Sequence, residues 1–274
     1  MTRPALRRRT SLPPIDPQAY APTPARPVRC KVRRLAAATR VDPHQHPWAQ
    51  VAMSSTGVIR MTAAHSTYIV PPTRALWIPP GVEHVVTVLE DAEIRTLYVD
   101  PGATLGDRGR ADGPDWQACR VLEVSSLLRE LVAALDDAPG ESDPTPRELG
   151  LGALVLDELS RASRVRLGVD LPADPRLRGL CEAVLDAPAR WSSLDDLAAH
   201  AGASPRTVAR LFRSELGTTF QQWRQQVLLA HALSLAARRV PMATIAAELG
   251  YASASAFTAM VKRSVGAPPS RFFA

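Results

Sequence analysis

Two groups of side chains in this 274-residue sequence are spaced to do chemistry. In the segment His44-Gln45-His46-Pro47-Trp48-Ala49-Gln50, the two histidines would share one face of a strand, because successive side chains there point to opposite sides. A third imidazole, His84, ends the run Pro79-Pro80-Gly81-Val82-Glu83-His84. Placed on a neighbouring strand, it would let three rings converge on a divalent metal and leave coordination positions open, with Gln50 as a weaker, neutral donor. The same rings could instead line a pocket and hydrogen-bond an organic effector or water, with Trp48, Trp77 and Tyr98 as candidate walls. No acid or base is placed to serve such a metal, which points away from an enzyme centre. His65, His200 and His231 lack comparable partners and read as ordinary surface or packing residues.

The second group is basic. At about 100° per residue, Arg206, Ala209, Arg210 and Arg213 fall on one face of a predicted helix, and Ser255, Thr258, Ala259 and Lys262 on one face of another. Arginine can bridge guanine O6 and N7 in the major groove of DNA or pair with phosphate. Serine and threonine discriminate less, and alanine can touch only a thymine methyl. Base reading is therefore expected from the first face, and more of the backbone positioning from the second.

Both faces belong to an internal repeat. Leu197-Ala198-Ala199-His200-Ala201-Gly202 returns as Ile245-Ala246-Ala247-Glu248-Leu249-Gly250. After one extra residue in the second turn, Ser204, Val208, Leu211, Phe212 and Gly217 return as Ser253, Phe257, Met260, Val261 and Gly266, and Trp223 returns as Phe272. Each copy reads as helix, tight turn, helix. Ala residues allow close helix approach, Gly permits the turn, and Ser204 and Ser253 stand as N-caps with Pro205 at the first helical position. Between the copies, about Thr219 to Arg238 reads as one helix, roughly 30 Å long at 1.5 Å per residue. Successive major grooves on one face of B-DNA are about 34 Å apart, so the spacer fits.

The elements around these groups differ in composition. Residues 1–34 hold nine basic residues and one acid, 35–171 twelve and nineteen, and 172–274 twelve and seven. An acidic middle followed by a basic end predicts two domains, of which the second suits a polyanion. Residues 1–29, rich in Arg and Pro, are expected to form a disordered tail. Residues 30–101 carry short Val-, Ile- and Thr-rich runs at regular spacing, such as Val85–Leu89 and Ile94–Val99, and predict a small β-barrel. Residues 102–166 read as a loop and two amphipathic helices, 167–173 as a linker, and 174–274 as helical throughout. Cys30, Cys119 and Cys181 form no CxxC pair and predict reduced thiols. No apolar stretch is long enough to span a bilayer. Thr10-Ser11-Leu12-Pro13-Pro14 stands where an export signal would need an apolar core, so a cytoplasmic protein without membrane contact is expected.

From about residue 174 the chain resembles the AraC/XylS family of bacterial transcription regulators, most recognisably in Gly217-Thr-Thr-Phe-Gln-Gln-Trp-Arg and Gly250-Tyr-Ala-Ser-Ala-Ser-Ala-Phe. The resemblance implies a seven-helix all-α domain with two helix-turn-helix units on adjacent major grooves of double-stranded DNA, and an activator that contacts RNA polymerase. Val261 stands where the family tends to place Phe, and Ala259 where a polar or basic residue is usual. The histidine segment is similar to the cupin fold, whose motifs read HxH, three residues, Glu, six residues, Gly, and PxGxxH. Here Gln50 replaces the Glu, Gly57 is in place, and Val88 stands where Asn is common. The surroundings resemble cupin-type sensor domains, which implies an N-terminal all-β cupin-like barrel plus helices and a small-molecule effector. It also implies a homodimer through a helix behind the barrel, although Leu127, Leu131 and Leu135 would equally serve to cover the barrel's open side. The expected function is a ligand-responsive transcription regulator. The alternatives are a metal-dependent cupin oxygenase or isomerase, and a direct sensor of metal.

Overall fold

Short runs rich in β-branched residues form the strands expected of them, and Gly and Pro end them. The structure, a computed structural model, describes residues 10–140, 143–165 and 167–273. Two compact units divide the chain. One is built from the stretches before His65 and from Val70 to 166, the other from His65–Ile69 and from Leu167 onward.

The first unit contains β1 (Thr10–Leu12), β2 (Val28–Leu35), β3 (Thr39–His44), β4 (Ala49–Thr56) and β5 (Ile59–Ala63). The next strand, β6 (Ser66–Val70), groups mostly with the second unit. The first unit resumes with β7 (Arg74–Ile78), β8 (His84–Val88), β9 (Ala92–Val99) and β10 (Arg120–Glu123). It ends with α1 (Ser126–Ala134), α2 (Pro146–Arg161) and β11 (Arg164–Val165). One of its sheets runs β11-β10-β7-β4-β9-β2, and in the other β1, β3, β8 and β5 lie side by side. The sheet that contains β4 and β7 is buried on both faces. Ala49, Val51 and Met53 of β4 share a core with Leu128 of α1 and Val155 and Leu159 of α2, while Gln50 points to the opposite face. At the turn after β4, Gly57 has φ +70°, and a Cβ there would stand 2.3 Å from the Asp91 carbonyl oxygen, so only glycine fits.

Three boundary expectations need correction. The predicted tail 1–29 does not hold for residues 10–29. Strand β1 pairs in parallel with β3, and Arg29 is buried with its guanidinium donating to the carbonyls of Ala138 and Gly140. Residues 1–9 lie outside the described residues. Barrel strands also extend past residue 101, because β10 joins the edge of β7. The predicted linker 167–173 contains a strand, β12 (Gly168–Asp170), which pairs with β6 inside the second unit. Prolines and arginines masked these pairings in the sequence, since the first are poor strand formers and the second normally lie at the surface.

Helices α3 (Pro175–Asp186), α4 (Leu194–His200), α5 (Pro205–Leu216), α6 (Phe220–Ala237), α7 (Met242–Glu248), α8 (Ala254–Val265) and α9 (Pro269–Phe272) complete the second unit. A capping box between Thr219 and Gln222 starts α6, and Arg238 caps its end, within a residue of the expected span. One core in this unit gathers Leu177 and Cys181 of α3, Leu197 of α4, Phe212 of α5, and Trp223 and Val227 of α6.

Candidate effector pocket and nucleic-acid interface

The imidazoles meet. His44 ends β3 and pairs directly with His84 at the start of β8, with ring centroids 4.3 Å apart. His46, in the turn to β4, lies 5.3 Å from the His84 ring and 5.0 Å from that of Tyr98, and it stacks on Trp48 at 5.4 Å. Gln50 of β4 and Tyr98 of β9 are direct cross-strand partners. The cluster therefore has β3 and β8 of one sheet on one side and β4 and β9 of the other on the opposite side. Trp77 is not part of it. Its register partner is Val51, not Gln50, so it points to the helix-covered face and donates its indole N–H to the Trp116 carbonyl at 2.8 Å. A strand buried on both faces gives no periodicity from which its inward side could be read.

Each ring is oriented by a main-chain carbonyl. His44 Nδ1 faces Asp42 O at 2.8 Å, His46 Nδ1 faces Trp48 O at 2.8 Å, and His84 Nδ1 faces Val82 O at 2.9 Å. A carbonyl only accepts, so each Nδ1 holds a proton and each Nε2 of the neutral ring is an acceptor. For His46 that atom lies 3.0 Å from the side-chain Oε1 of Gln50, itself an acceptor as placed. The neutral ring requires the amide to present its NH2 group. The residues expected to hold a metal, His44, His46, His84 and Gln50, lie together in this cluster. Among the described residues no group of three His, Cys, Asp or Glu side chains is arranged to hold an ion. With both His46 nitrogens engaged, only two imidazole acceptors remain, and Gln50 supplies no charge.

Burial lowers the pKa of all three rings. For His84, reinforced by nearby His44, it falls to about 3. Because the unfolded chain titrates near the ordinary 6.5, it binds the proton first as the pH drops, and stability is lost progressively from about pH 6.5 toward 3. Between pH 7 and 5, His84 alone should cost the first unit about 2 kcal/mol, measured as a fall in its denaturant midpoint. An unchanged midpoint would show that His84 is not held neutral.

Sequence reasoning missed one member of the cluster. Lys31 of β2 is only 6% exposed, donates to the Tyr98 hydroxyl, and stands 4.8 Å over the Tyr98 ring. In Val28-Arg-Cys-Lys-Val-Arg, charged and apolar residues alternate, and that signal was available. It reads as an exposed basic face, whereas here Lys31 points inward. Burial, followed by Arg33, brings its pKa down to about 8, so the amine is still mostly protonated at neutral pH.

In the second unit the turns of the repeat carry matching hydrogen bonds. Ala203 N donates to Ala198 O at 3.0 Å, and its counterpart Tyr251 N to Ala246 O at 2.8 Å. Gly202 and Gly250 both take positive φ in the turns, and Gly217 and Gly266 take it at the ends of α5 and α8. Ser204 and Ser253 cap those helices through Thr207 N and Ala256 N. Val208 and Phe212 are buried in α5, and Phe257, Met260 and Val261 in α8. On the outer side Arg206, Arg210, Arg213, Ser255, Thr258, Ala259 and Lys262 are exposed, and Ala209 is half-buried. At the end of the second copy, Phe273 stacks on Phe257 at 6.3 Å.

A β-rich unit with a polar cluster, joined in sequence to a repeated helix-turn-helix unit with an exposed basic face, defines a DNA-binding transcription regulator with a ligand-binding domain. Residues 27–155 match the AraC-like ligand binding domain, and residues 197–274 match a helix-turn-helix domain. The HTH-type transcriptional regulator NimR of Escherichia coli is 32% identical over 231 residues, which cover 84% of this chain and 81% of that protein. The arabinose operon regulatory protein of Salmonella typhimurium is 30% identical over 152 residues, 54% of this chain and 52% of that one. Among solved structures, ToxT of Vibrio cholerae aligns over 90% of this chain and 96% of its own at 13% identity, with a TM-score of 0.37. The chain belongs to the AraC family of transcription regulators. It binds DNA and a small-molecule effector, and its relatives are regulators, not enzymes. No helix among the described residues is long and apolar enough to cross a membrane.

Proposed function

We propose that α5 and α8 enter two consecutive major grooves, with Arg206, Ala209, Arg210 and Arg213 reading bases and Ser255, Thr258, Ala259 and Lys262 mainly holding the backbone, and that the His44–His46–His84 cluster is the effector pocket. The observation that carries the DNA reading is the repeat itself: two identically capped helices whose apolar sides are buried and whose outer sides are exposed. The 18 residues of α6 give a spacer of about 27 Å, near the groove repeat of about 34 Å. Trp48 and Tyr98 form walls of the pocket.

The protein acts in the cytoplasm, where its three free cysteines stay reduced. A second copy docks on α1 and α2, whose Leu127, Leu149 and Leu154 are exposed, while Leu131 and Leu135 cover the sheet. Contact with RNA polymerase completes the regulatory output. Genome-wide footprinting of the bound protein gives the operator, and the genes beside it nominate the compound to titrate. The double substitution His44→Ala with His46→Ala should leave operator affinity intact and abolish the response to that compound. A full response in the double variant would place the pocket elsewhere.

A further inference from the structure

The cluster holds more hydrogen-bond donors than it can satisfy, and one of them is charged. Lys31 Nζ lies among buried side chains with the Tyr98 hydroxyl as its hydrogen-bond partner, and among the described residues no carboxylate pairs with it. An ammonium ion taken out of water without a counter-charge is costly, and proteins rarely bury one unpaired. The ring faces of Tyr98 at 4.8 Å and Tyr20 at 6.0 Å offer it cation–π contact but no counter-charge. Arg33 adds positive charge, and the three imidazoles are neutral.

The other polar atoms show the same excess. Tyr98 accepts from Lys31, and burial raises its pKa, so it keeps its own proton to donate onward. The buried Trp48 Nε1–H has no acceptor. Three donors from β2, β9 and the turn before β4, one of them cationic, thus belong to one connected set of rings. An anion with two acceptor oxygens satisfies such a set, because hydrogen bonds between charged partners are about twice as strong as neutral ones. The stacked faces of His46 and Trp48 supply a flat apolar wall for the remainder of the molecule.

We infer that this site takes a small organic carboxylate, whose oxygens accept from Lys31, Tyr98 and Trp48 while its carbon skeleton lies against the Trp48 side of the cluster. The buried His84 Nε2, which has no partner, then accepts from a hydroxyl or N–H elsewhere on the same ligand. This rests on the reading of the cluster as the effector pocket and adds the chemical class of the effector.

The test uses the full-length protein and pairs each acid with its uncharged isostere. Benzoate, 4-hydroxybenzoate, hexanoate and indole-3-acetate are titrated calorimetrically beside their primary amides. At least one acid should bind roughly tenfold or more tightly than its amide. Lys31→Met should erase that preference while raising the melting temperature, since a buried charge is replaced by an apolar chain of similar length. Lys31→Arg, which keeps the charge, should retain the preference in part. Equal binding of every acid and its amide, no binding of any acid, or an unchanged preference in Lys31→Met overturns the carboxylate assignment. A neutral compound that shifts operator affinity through His44 and His46 would sink the carboxylate and keep the effector pocket. Acid binding at Lys31 that leaves operator affinity untouched would do the reverse.

Discussion

Replacing Arg206 and Arg210 together with alanine should weaken operator binding by roughly thirtyfold or more, with the melting temperature unchanged. Each arginine that contacts a guanine bidentately contributes about 1–3 kcal/mol, so two remove at least about 2 kcal/mol even where neighbouring contacts fail to add. The fold should not notice. Both side chains are exposed on α5, opposite the buried Val208 and Phe212, and the ion pairs of the described residues engage other side chains. Competition with unrelated DNA sharpens the measurement. The double variant should lose most of the difference between operator and random sequence, whereas Lys262→Ala should weaken both about equally and flatten the salt dependence. Wild-type discrimination in the double variant would remove α5 from the groove.

Trp223→Ala should cost the second unit about 3–5 kcal/mol, as large-to-small changes at fully buried aromatics do. Trp223 is completely buried, packs edge-on against Phe212 at 5.7 Å, and donates its indole N–H to the Asp170 carbonyl at 2.7 Å. Alanine removes both the volume and the donor, so the carbonyl of β12 loses its partner as well. Because Phe212 is the inner anchor of α5, the effect should reach DNA binding through lost order in that helix. The check is chemical denaturation followed beside operator affinity. A change below about 1 kcal/mol would mean that the cavity collapses or that Trp223 is not a core residue.

The second unit was legible in the sequence almost to the residue. Its repeat supplies two independent copies of every signal, and caps, turn glycines and apolar faces agree at each level. Ser204, Ser253, Gly202 and Gly250 take the roles expected of them. The first unit was legible in outline only. His44, His46 and His84 meet because the β3–β8 register pairs two of them directly, yet the sequence offered no way to see that Gln50 would occupy His46. Trp77 fell on the wrong side and Lys31 went unnoticed for one reason. The sheet that contains β4 and β7 is covered on both faces, so apolar alternation stops distinguishing them, and a lysine pointing inward breaks the rule by which charge is assigned to the surface. The β1 and β12 pairings depend on long-range partners, which no local window contains.

The polypeptide passes between the two units three times: entering the second at His65, leaving it after Ile69, and returning for good at Leu167. Ser66 Oγ donates to Asp170 at 2.6 Å, and Leu171 N to His65 O at 2.7 Å, so this small β-pairing is fastened twice at the end where Ser66 faces Asp170. A gene fragment beginning at residue 174 would therefore encode all seven helices but omit the carbonyl that receives the Trp223 indole. Splitting this regulator into portable halves calls for grafting the His65–Ile69 ribbon onto the helices, not for a single cut.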